Sequence, residues 1–255
     1  MGRRLGQHFL FDPSILGRIA DAAVASKTER VLEIGPGKGT LTRALAERAA
    51  HVTAIEKDSA LLLDATGSVD RGALTVIHGD ALDVEWPAVD VICGNIPYQI
   101  TSPLIERALT PPRPKRIVFL MQREVADRLA AKPGEREYGA LSAGVQLVAT
   151  VERLFTVKAG SFQPPPRVES AVVRITPRST PLARTPEEEA GARNWIIRMY
   201  QHRRQQIQRT LRESLGCDRD TVDRLLGTAD LDPTARPEVL SPEDFLTIAR
   251  LFPAS

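Results

Sequence analysis

The stretch Val31-Leu32-Glu33-Ile34-Gly35-Pro36-Gly37-Lys38-Gly39-Thr40 is an apolar strand pattern that ends in three closely spaced glycines. Apolar residues with helical spacing follow from Thr40 to Ala49. Glycine allows a sharp turn and lets the backbone approach a ligand without a Cβ in the way. A strand, a glycine loop and a helix in this order predict the first unit of a parallel sheet, with a ligand-binding loop or a purely structural turn at the glycines.

The same alternation of short apolar runs and helical segments continues on the C-terminal side of this stretch. It is typical of an α/β fold in which helices cover both faces of a mostly parallel sheet. Strands are predicted at 51–56, 74–77, 89–93 and 117–121, with a leucine-rich helix after Glu56, a helix from about Ser102-Pro103 and another at 123–131.

The pattern changes in the last third of the chain. A strand is predicted at 168–175, and the Pro- and Ser-rich segment 176–181 that follows is typical of a linker. From Pro186 onward only helical periodicity remains. We therefore expect an α/β domain at residues 1–178 and a small all-α domain at residues 179–255.

Composition narrows the class of protein. The 255 residues are 42% hydrophobic, which is enough for one large core and a small second one. No apolar run approaches the ~18 residues of a membrane span, and the basic N-terminus lacks the apolar stretch of a secretory signal. Cys93 and Cys217 are far apart and the four histidines are scattered. We expect a cytoplasmic protein with reduced thiols, no metal and no membrane contact.

The net charge of +2 predicts no nucleic-acid binding by itself, but the basic residues are unevenly distributed. Six arginines occur between Arg193 and Arg212, with no acidic residue among them. Such a run is either a solvated helix face or a surface that contacts phosphates.

Glu56 lies 21 positions after Gly35, at the end of the next predicted strand. A carboxylate there can accept hydrogen bonds from both hydroxyls of a ribose. The glycines at 35, 37 and 39 do not match the spacing of a dinucleotide fold, which needs a third glycine where Thr40 stands. Glu33 is poorly placed beside a pyrophosphate and suits a cationic ligand, which favours S-adenosylmethionine over NAD.

Gly79-Asp80 follows the third predicted strand. A carboxylate at this edge of a parallel sheet can accept a hydrogen bond from an adenine amino group. Gly-Asp is also a common turn, so this position is informative only together with the others.

Asn95-Ile96-Pro97-Tyr98, after the fourth predicted strand, resembles the Asn-[Pro/Ile/Leu]-Pro-[Tyr/Phe] box of methyltransferases that modify exocyclic amino groups. The lone pair of such an amine is delocalised into the ring, and acceptors aimed at its hydrogens favour a pyramidal nitrogen. Asn95 offers a side-chain acceptor, Pro97 fixes φ, and Tyr98 offers a flat face for stacking with a base. The alternative is a strand cap followed by a proline turn.

Several motifs together resemble the KsgA family, the small-subunit ribosomal RNA adenine dimethyltransferases, and through them the Erm enzymes of large-subunit RNA. The resemblance spans residues 4 to about 175 and continues more loosely to the end. Its motifs are GQHFL (6–10), EIGPGKGTLT (33–42), Glu56, GDAL (79–82), GNIPYQITSP (94–103), MQREVA (121–126) and FQPPPRVESAVV (162–173).

The resemblance implies a Rossmann-like methyltransferase domain with a seven-stranded sheet and a second domain that binds RNA. It implies S-adenosylmethionine contacts at His8, Leu10, Gly35, Glu56, Asp80 and Asn95, with the contact at His8 through its backbone. It implies catalysis around Asn95, Pro97 and Tyr98, with the backbone carbonyl of Ile96 as a second acceptor. It makes Phe162 a second aromatic wall on an exposed proline-rich lip; the alternative is a core phenylalanine.

The implied substrate is a pair of adjacent adenosines in a hairpin loop near the 3′ end of small-subunit rRNA, each of which receives two methyl groups at N6. The partner would be the small-subunit (30S) precursor particle, the enzyme a monomer, and Arg203 and Arg204 contacts to rRNA phosphates. The alternatives are an Erm-type enzyme of large-subunit RNA, a catalytically silent rRNA-binding assembly factor, and an NAD-dependent dehydrogenase, which the glycine spacing disfavours.

Overall fold

The computed structural model describes residues 7–62, 64, 67, 69 and 72–253. Within these residues the chain forms nine strands: β1 (Phe9–Leu10), β2 (Arg30–Ile34), β3 (His51–Glu56), β4 (Leu74–His78), β5 (Val91–Asn95), β6 (Arg116–Gln122), β7 (Ala149–Val157), β8 (Phe162–Gln163) and β9 (Ser170–Pro177).

The described residues also form nine helices of seven or more residues, of which those at Pro13–Ala23 and Ala140–Gln146 were not predicted. They are α1 (Pro13–Ala23), α2 (Thr40–Ala46), α3 (Thr101–Ala108), α4 (Arg123–Ala130), α5 (Ala140–Gln146), α6 (Pro186–Gln201), α7 (Ile207–Leu215), α8 (Arg219–Thr228) and α9 (Pro242–Leu251).

Seven strands form one mixed sheet in the order β4-β3-β2-β5-β6-β9-β7. The five neighbours from β4 to β6 are parallel, and β9 runs antiparallel to β6. Val31 of β2 and its partner Val91 of β5 are fully buried. Leu32 of β2 and Ile117 of β6, which lie at the next position of the register, are also fully buried. Because successive side chains of a strand point to opposite faces, both faces of the central strands are covered, as expected of a parallel sheet.

The predicted α/β fold with a mostly parallel sheet is confirmed, and the strand ends differ from the predicted ones by two residues at most. The leucine-rich helix predicted after Glu56 falls on a stretch of which residues 63, 65, 66, 68, 70 and 71 lie outside the described residues. Strands β1 and β8, which pair with each other antiparallel, were not predicted because runs of two residues show no periodicity. Strand β7, at the edge of the seven-stranded sheet, was not predicted either.

The N-terminal segment is attached to the rest of the sheet domain by capping and strand pairing. Asp12 caps α1, and its Oδ1 accepts hydrogen bonds from the backbone N–H groups of Ser14 and Ile15. Pro13 occupies the first turn, where its missing N–H costs no hydrogen bond. Leu16 and Ile19 of this helix are buried in the apolar cluster under β2 and β5. Residues 8–12 are therefore fixed by the pairing of β1 with β8 at one end and by the Asp12 cap of α1 at the other.

Contacts divide the chain into two units, residues 1–126 with 151–177, and residues 127–150 with 178–255. The predicted domain boundary, between residues 178 and 179, lies one residue after the point where the second unit resumes at residue 178. Residues 127–150, which we expected in the first domain, instead group with the C-terminal helices. Tyr138 shows why, since it is buried and its hydroxyl donates a hydrogen bond to the carbonyl of Leu240.

The second unit has a core of its own. Trp195 of α6 and Phe245 of α9 are almost fully buried, and the Trp195 indole N–H donates to the carbonyl of Phe252. Ser241 and Asp244 form a capping box at the start of α9, which satisfies two backbone N–H groups. These contacts show that the C-terminal helices form a packed unit and are more than an extension of the sheet.

Candidate functional site

Four of the predicted residues lie at the carboxyl ends of adjacent parallel strands. Gly35 follows β2, Glu56 ends β3, Asp80 comes two residues after β4, and Asn95 ends β5. The chain moves outward from β2 through β3 to β4 and then returns to place β5 on the other side of β2. Ligands of open α/β sheets bind at such a switch point, outside the carboxyl ends of the strands.

The glycine loop has the backbone conformation that only glycine adopts readily. Gly35, Gly37 and Gly39 have φ values of 70°, 55° and 73°, and a side chain at these positions would be strained. A Cβ on Gly94 would lie 2.5 Å from the carbonyl oxygen of Ile34. The end of β5 can therefore approach the end of β2 only because residue 94 has no side chain.

Glu56 is 5% exposed, and both of its carboxylate oxygens face backbone N–H groups. Oε2 accepts from Gly37 at 3.0 Å and Oε1 accepts from Asp58 at 2.8 Å. Each oxygen retains acceptor capacity, because a carboxylate offers about four lone-pair sites. The carboxylate is thus oriented by the main chain while it can still accept two further hydrogen bonds.

Asp80 is held by Lys57, the residue after Glu56. Its Oδ2 lies 2.6 Å from the Lys57 ammonium nitrogen, and its Oδ1 accepts from the backbone N–H of Leu82 at 2.9 Å. The hydrogen bond from Lys57, followed by that from Leu82, lowers the pKa of Asp80 below its ordinary value. Asp80 is therefore an anion at neutral pH, suited to accept a hydrogen bond from an amino group.

Glu33 lies one residue before the end of β2 and is 1% exposed. Its Oε2 has no hydrogen-bond partner among the described residues, and neither does the nearby buried hydroxyl of Thr42. Burial raises the pKa of Glu33 to about 7. An acid with an unsatisfied buried oxygen is uncommon and marks a functional-site candidate.

The N-terminal segment lies next to the glycine loop and the end of β5. The Thr40 hydroxyl donates to the carbonyl of Leu10 at 2.9 Å, and the Asn95 side-chain amide donates to the carbonyl of His8 at 2.8 Å. Leu10 is buried, whereas His8 is half-buried. The structure thus brings His8 and Leu10 into the same site as Gly35 and Asn95.

The side chain of Asn95 has a defined orientation. Since its Nδ2 donates to a carbonyl oxygen, its Oδ1 must point the other way, and no described residue donates to it. The backbone N–H of Ile96 donates to Leu120 of β6, while its carbonyl receives no hydrogen bond from a described residue. Two oxygen acceptors, the Asn95 Oδ1 and the Ile96 carbonyl, are therefore without a donor among the described residues.

Pro97 and Tyr98 begin a 3-10 turn at Tyr98–Ile100 that leads into α3. Pro97 has φ of −57° and its carbonyl accepts from Ile100. The Tyr98 hydroxyl lies 3.1 Å from that of Ser170, and its ring centroid lies 6.2 Å from that of His8. The ring of Tyr98 is thus anchored at its polar edge by Ser170.

Phe162 does not lie on an exposed lip. Its side chain is 3% exposed and belongs to the apolar cluster that contains Leu10 and Leu16. The prediction of an exposed position is wrong, because the pairing of Phe162 with Leu10 in the β1–β8 ribbon turns the ring towards the core. Gln163, Pro164 and Pro165, which follow it, are exposed, whereas Pro166 is buried.

Arg203 and Arg204 lie in the second unit, in the exposed connection between α6 and α7. Neither forms a side-chain hydrogen bond or ion pair with a residue that the structure describes. Arg193 and Arg209, by contrast, pair with Glu189 and Glu213. The connection therefore presents two guanidinium groups to solvent.

A polar groove of about 480 Å³ lies beside this connection. Four of its residues recur at helical spacing on one face of α6, with the half-exposed Ile197 among them. The lining residues are Asn194, Ile197, Arg198, Gln201, His202 and Ser214. Amide, guanidinium and apolar groups together suit a nucleotide better than a purely apolar ligand.

Sequence reasoning missed several partners that complete the site: Lys57 for Asp80, Ser170 for Tyr98 and the His8 carbonyl for Asn95. Each pair is separated by at least 23 residues along the chain, so no local pattern links its members. Lys57 was the most accessible to prediction, because it directly follows Glu56 at the same edge of the sheet.

No described helix is both long and apolar enough to span a bilayer. Within the same part of the chain, no group of three or more His, Cys, Asp or Glu side chains is arranged to hold a metal ion.

Comparison with known proteins gives one family. The family model described as ribosomal RNA adenine dimethylase matches residues 2–252. A ribosomal RNA small subunit methyltransferase A from Rhodospirillum rubrum is 40% identical over 261 residues, which cover 99% of this chain and 88% of that protein. The protein of the same name from Bacillus cereus is 38% identical and covers 97% of this chain and 89% of its own length.

Solved structures agree with this. A dimethyladenosine transferase from Plasmodium falciparum superimposes with a TM-score of 0.85 at 28% identity, covering 96% of this chain and 97% of that chain. The 23S rRNA methyltransferase ErmE gives a TM-score of 0.76, also at 28% identity, and covers 95% of this chain and 98% of that chain.

Proposed function

The chain belongs to the ribosomal RNA adenine dimethylase family, and from this premise we propose that it dimethylates N6 of two adjacent adenosines in the 3′-terminal hairpin loop of small-subunit rRNA, with S-adenosylmethionine as methyl donor. The observation that carries the proposal is the pair of free acceptors at Asn95 and Ile96, beside the anchored ring of Tyr98. The proposal includes a monomeric enzyme that acts in the cytoplasm on precursor particles.

The carboxyl edge of the sheet fits S-adenosylmethionine. Glu56 would accept from the ribose hydroxyls, Asp80 from the adenine amino group, and the glycine loop at Gly35 would let the backbone approach the ligand closely. The unsatisfied carboxyl of Glu33 suits a cationic ligand better than a phosphate. His8, Leu10 and Asn95 border the same edge and would complete the site.

The target adenine would lie on the ring of Tyr98, where stacking contributes ~1–3 kcal/mol per base. The Asn95 Oδ1 and the Ile96 carbonyl would accept hydrogen bonds from the two N6 hydrogens, which localises the nitrogen lone pair. When bound, S-adenosylmethionine supplies a methyl group already activated by its sulfonium. The residues of this chain then contribute positioning and preorganised acceptors, and a strong general base is not required.

Recognition of the RNA is assigned to the second unit. The groups available there are the unpaired guanidiniums of Arg203 and Arg204 and the adjoining polar groove on α6. Guanidinium groups bind phosphates bidentately, and amide and apolar groups suit unstacked bases of RNA loops. These features support a role of residues 178–255 in holding rRNA near the target hairpin.

The main alternative is methylation of large-subunit RNA, as the name of ErmE states for that protein. The relatives named for the small subunit are up to 40% identical over nearly the whole chain, whereas ErmE is 28% identical. The superposition is also better on the dimethyladenosine transferase than on ErmE. The higher identity to the relatives named for the small subunit favours the small-subunit substrate.

A methyl-transfer assay separates the possibilities. The protein is incubated with methyl-labelled S-adenosylmethionine and either small- or large-subunit particles that lack the family's modifications. We expect label only in small-subunit rRNA, and none in particles already dimethylated. Label in the large subunit would establish the Erm-type alternative, and normal association with particles without any transfer would establish a silent assembly factor.

A further inference from the structure

Asp80, the proposed acceptor for the adenine amino group of the cofactor, begins a tight turn in the connection from β4 to β5. Its main-chain carbonyl accepts hydrogen bonds from the N–H groups of Asp83 at 2.9 Å and Val84 at 3.0 Å, and its Oδ1 accepts from the N–H of Leu82. A Cβ on Gly79 would lie only 2.3 Å from a methyl carbon of Val84. The turn is therefore folded back closely on the residue that precedes Asp80.

A guanidinium group from another element holds this turn. Arg107, in the last turn of α3, donates from Nη1 to the carbonyl of Leu82 and from Nη2 to the carbonyl of Val84. A guanidinium carries five N–H donors in a fixed planar geometry, so one side chain can hold two carbonyls at once. Both carbonyls belong to the turn that orients the Asp80 carboxylate.

The same guanidinium also contacts an aromatic ring of the connection. The Cζ of Arg107 lies 4.8 Å from the centroid of the Trp86 ring, which is within the range of a cation–π interaction. The indole N–H of Trp86 donates to the carbonyl of Ala81 at 2.9 Å. Arg107 and Trp86 are both half-buried. The two side chains together therefore fix the turn at three of its carbonyls.

Helix α3 itself is held by other contacts. Leu104 and Ile105 are fully buried, and the Thr101 hydroxyl donates to the carbonyl of Tyr98 at 3.3 Å. The helix begins directly after the 3-10 turn that starts at Tyr98. Removal of the Arg107 guanidinium should therefore release the turn after Asp80 and leave the helix in place.

We propose that Arg107 is a positioning residue for cofactor recognition, which holds the turn at residues 80–84 so that the Asp80 carboxylate meets the adenine amino group of S-adenosylmethionine. This inference rests on the proposed function and adds to it a residue that acts through Asp80. A site built around a fixed acceptor rejects an analogue that lacks the matching donor, and a mobile acceptor loses that selectivity.

The test measures this selectivity by calorimetry with two ligands, S-adenosylhomocysteine and S-inosylhomocysteine, which carries an oxygen in place of the amino group. We expect the unsubstituted protein to bind the adenosyl compound at least about tenfold more tightly. In Arg107→Met, which keeps an unbranched side chain and removes the donors, the ratio should fall to about twofold or less.

A second variant and a matched control accompany this measurement. Arg107→Lys keeps the charge and loses the planar fork, so it should also lower the ratio, to about two- to fivefold, and it replaces Arg107→Met if that variant does not fold. In the control, Lys115→Met removes an exposed ammonium that pairs with Asp90 just before β6 and β5 begin, at the opposite edge of the sheet. Its ratio should equal that of the unsubstituted protein.

Methyl-transfer kinetics separate positioning of the cofactor from damage to the catalytic residues. For Arg107→Met we expect the KM for S-adenosylmethionine to rise about tenfold while kcat at saturating cofactor changes by less than about twofold, because α3 and the residues before it stay in place.

Four results would each overturn the inference: a ratio near one in the unsubstituted protein, an unchanged ratio in the folded Arg107 variants, an equal fall in Lys115→Met, or a loss of kcat as large as the rise in KM. A failure of the proposed function differs from all of these, since the unsubstituted protein would then transfer no methyl group to small-subunit rRNA.

Discussion

At the scale of single residues, Glu33 has the most unusual environment in the described site. A carboxyl group that is fully buried and has one unsatisfied oxygen is costly to ionise, and its pKa rises to about 7. The protein can tolerate this cost because the glycine loop beside Glu33 would bind a cationic ligand. Glu33 thus illustrates a residue whose environment favours ligand binding over stability of the unliganded fold.

The raised pKa gives a pH dependence of stability with a definite sign. Below about pH 4.5 Glu33 is protonated in the folded and unfolded states alike. Between that pH and about 7 the unfolded chain loses the proton while the folded protein keeps it, so stability falls as pH rises. At about 1.4 kcal/mol per pKa unit, the loss is on the order of 3 kcal/mol.

Glu33→Gln removes this ionisation and keeps the shape of the side chain. We expect its free energy of unfolding, relative to the unsubstituted protein, to increase by on the order of 2–3 kcal/mol between pH 5 and pH 8. Urea unfolding at four pH values measures the difference. The exposed Glu85→Gln is the control and should give a flat difference; a flat difference for Glu33→Gln as well would refute the assignment.

At the scale of helices and strands, the sequence predicts the ends of the parallel strands well. The apolar runs before Gly35, Glu56, Asp80 and Asn95 are interrupted by residues that only a turn or a ligand explains, and parallel strands bring their carboxyl ends to one edge. The residues of the proposed cofactor site can therefore be predicted from the order of the motifs in the sequence. The requirement for Gly94 is visible only in the structure, since it depends on Ile34 of a neighbouring strand.

The residues of the proposed adenine-binding site were harder to predict from the sequence, for a physical reason. Whether Phe162 faces solvent or core depends on the register of a two-residue ribbon, and a shift of one residue reverses the face. The proline run after it suggested exposure, and Pro164 and Pro165 are indeed exposed, but the phenylalanine is not.

At the scale of the whole molecule, the position of the positive charges is more informative than the net charge. The net charge is only +2, yet Arg203 and Arg204 stand without an acidic partner in the described part of the chain. On α8 of the same unit, two bases stand with two acids, and Arg219 pairs with Asp223. Binding to RNA should therefore depend on where positive charge is placed more than on how much there is.

The double substitution Arg203→Glu with Arg204→Glu tests this. We expect affinity for small-subunit particles to fall at least about tenfold, and the slope of log affinity against log salt to become shallower by about 2. Filter binding at several salt concentrations measures both. Arg219→Glu with Arg224→Glu changes the net charge by the same amount and should have little effect; similar losses in both pairs would show a non-specific effect of charge.

The account as a whole depends on Asn95 as the acceptor that prepares the N6 of the target adenosine. The most direct measurement is made on Asn95→Ala, with methyl transfer to small-subunit particles and affinity for S-adenosylmethionine determined on the same preparation. We predict that turnover falls by at least about a hundredfold while cofactor affinity changes by less than about threefold. Near-normal turnover, or a loss of cofactor affinity as large as the loss of turnover, would contradict the account.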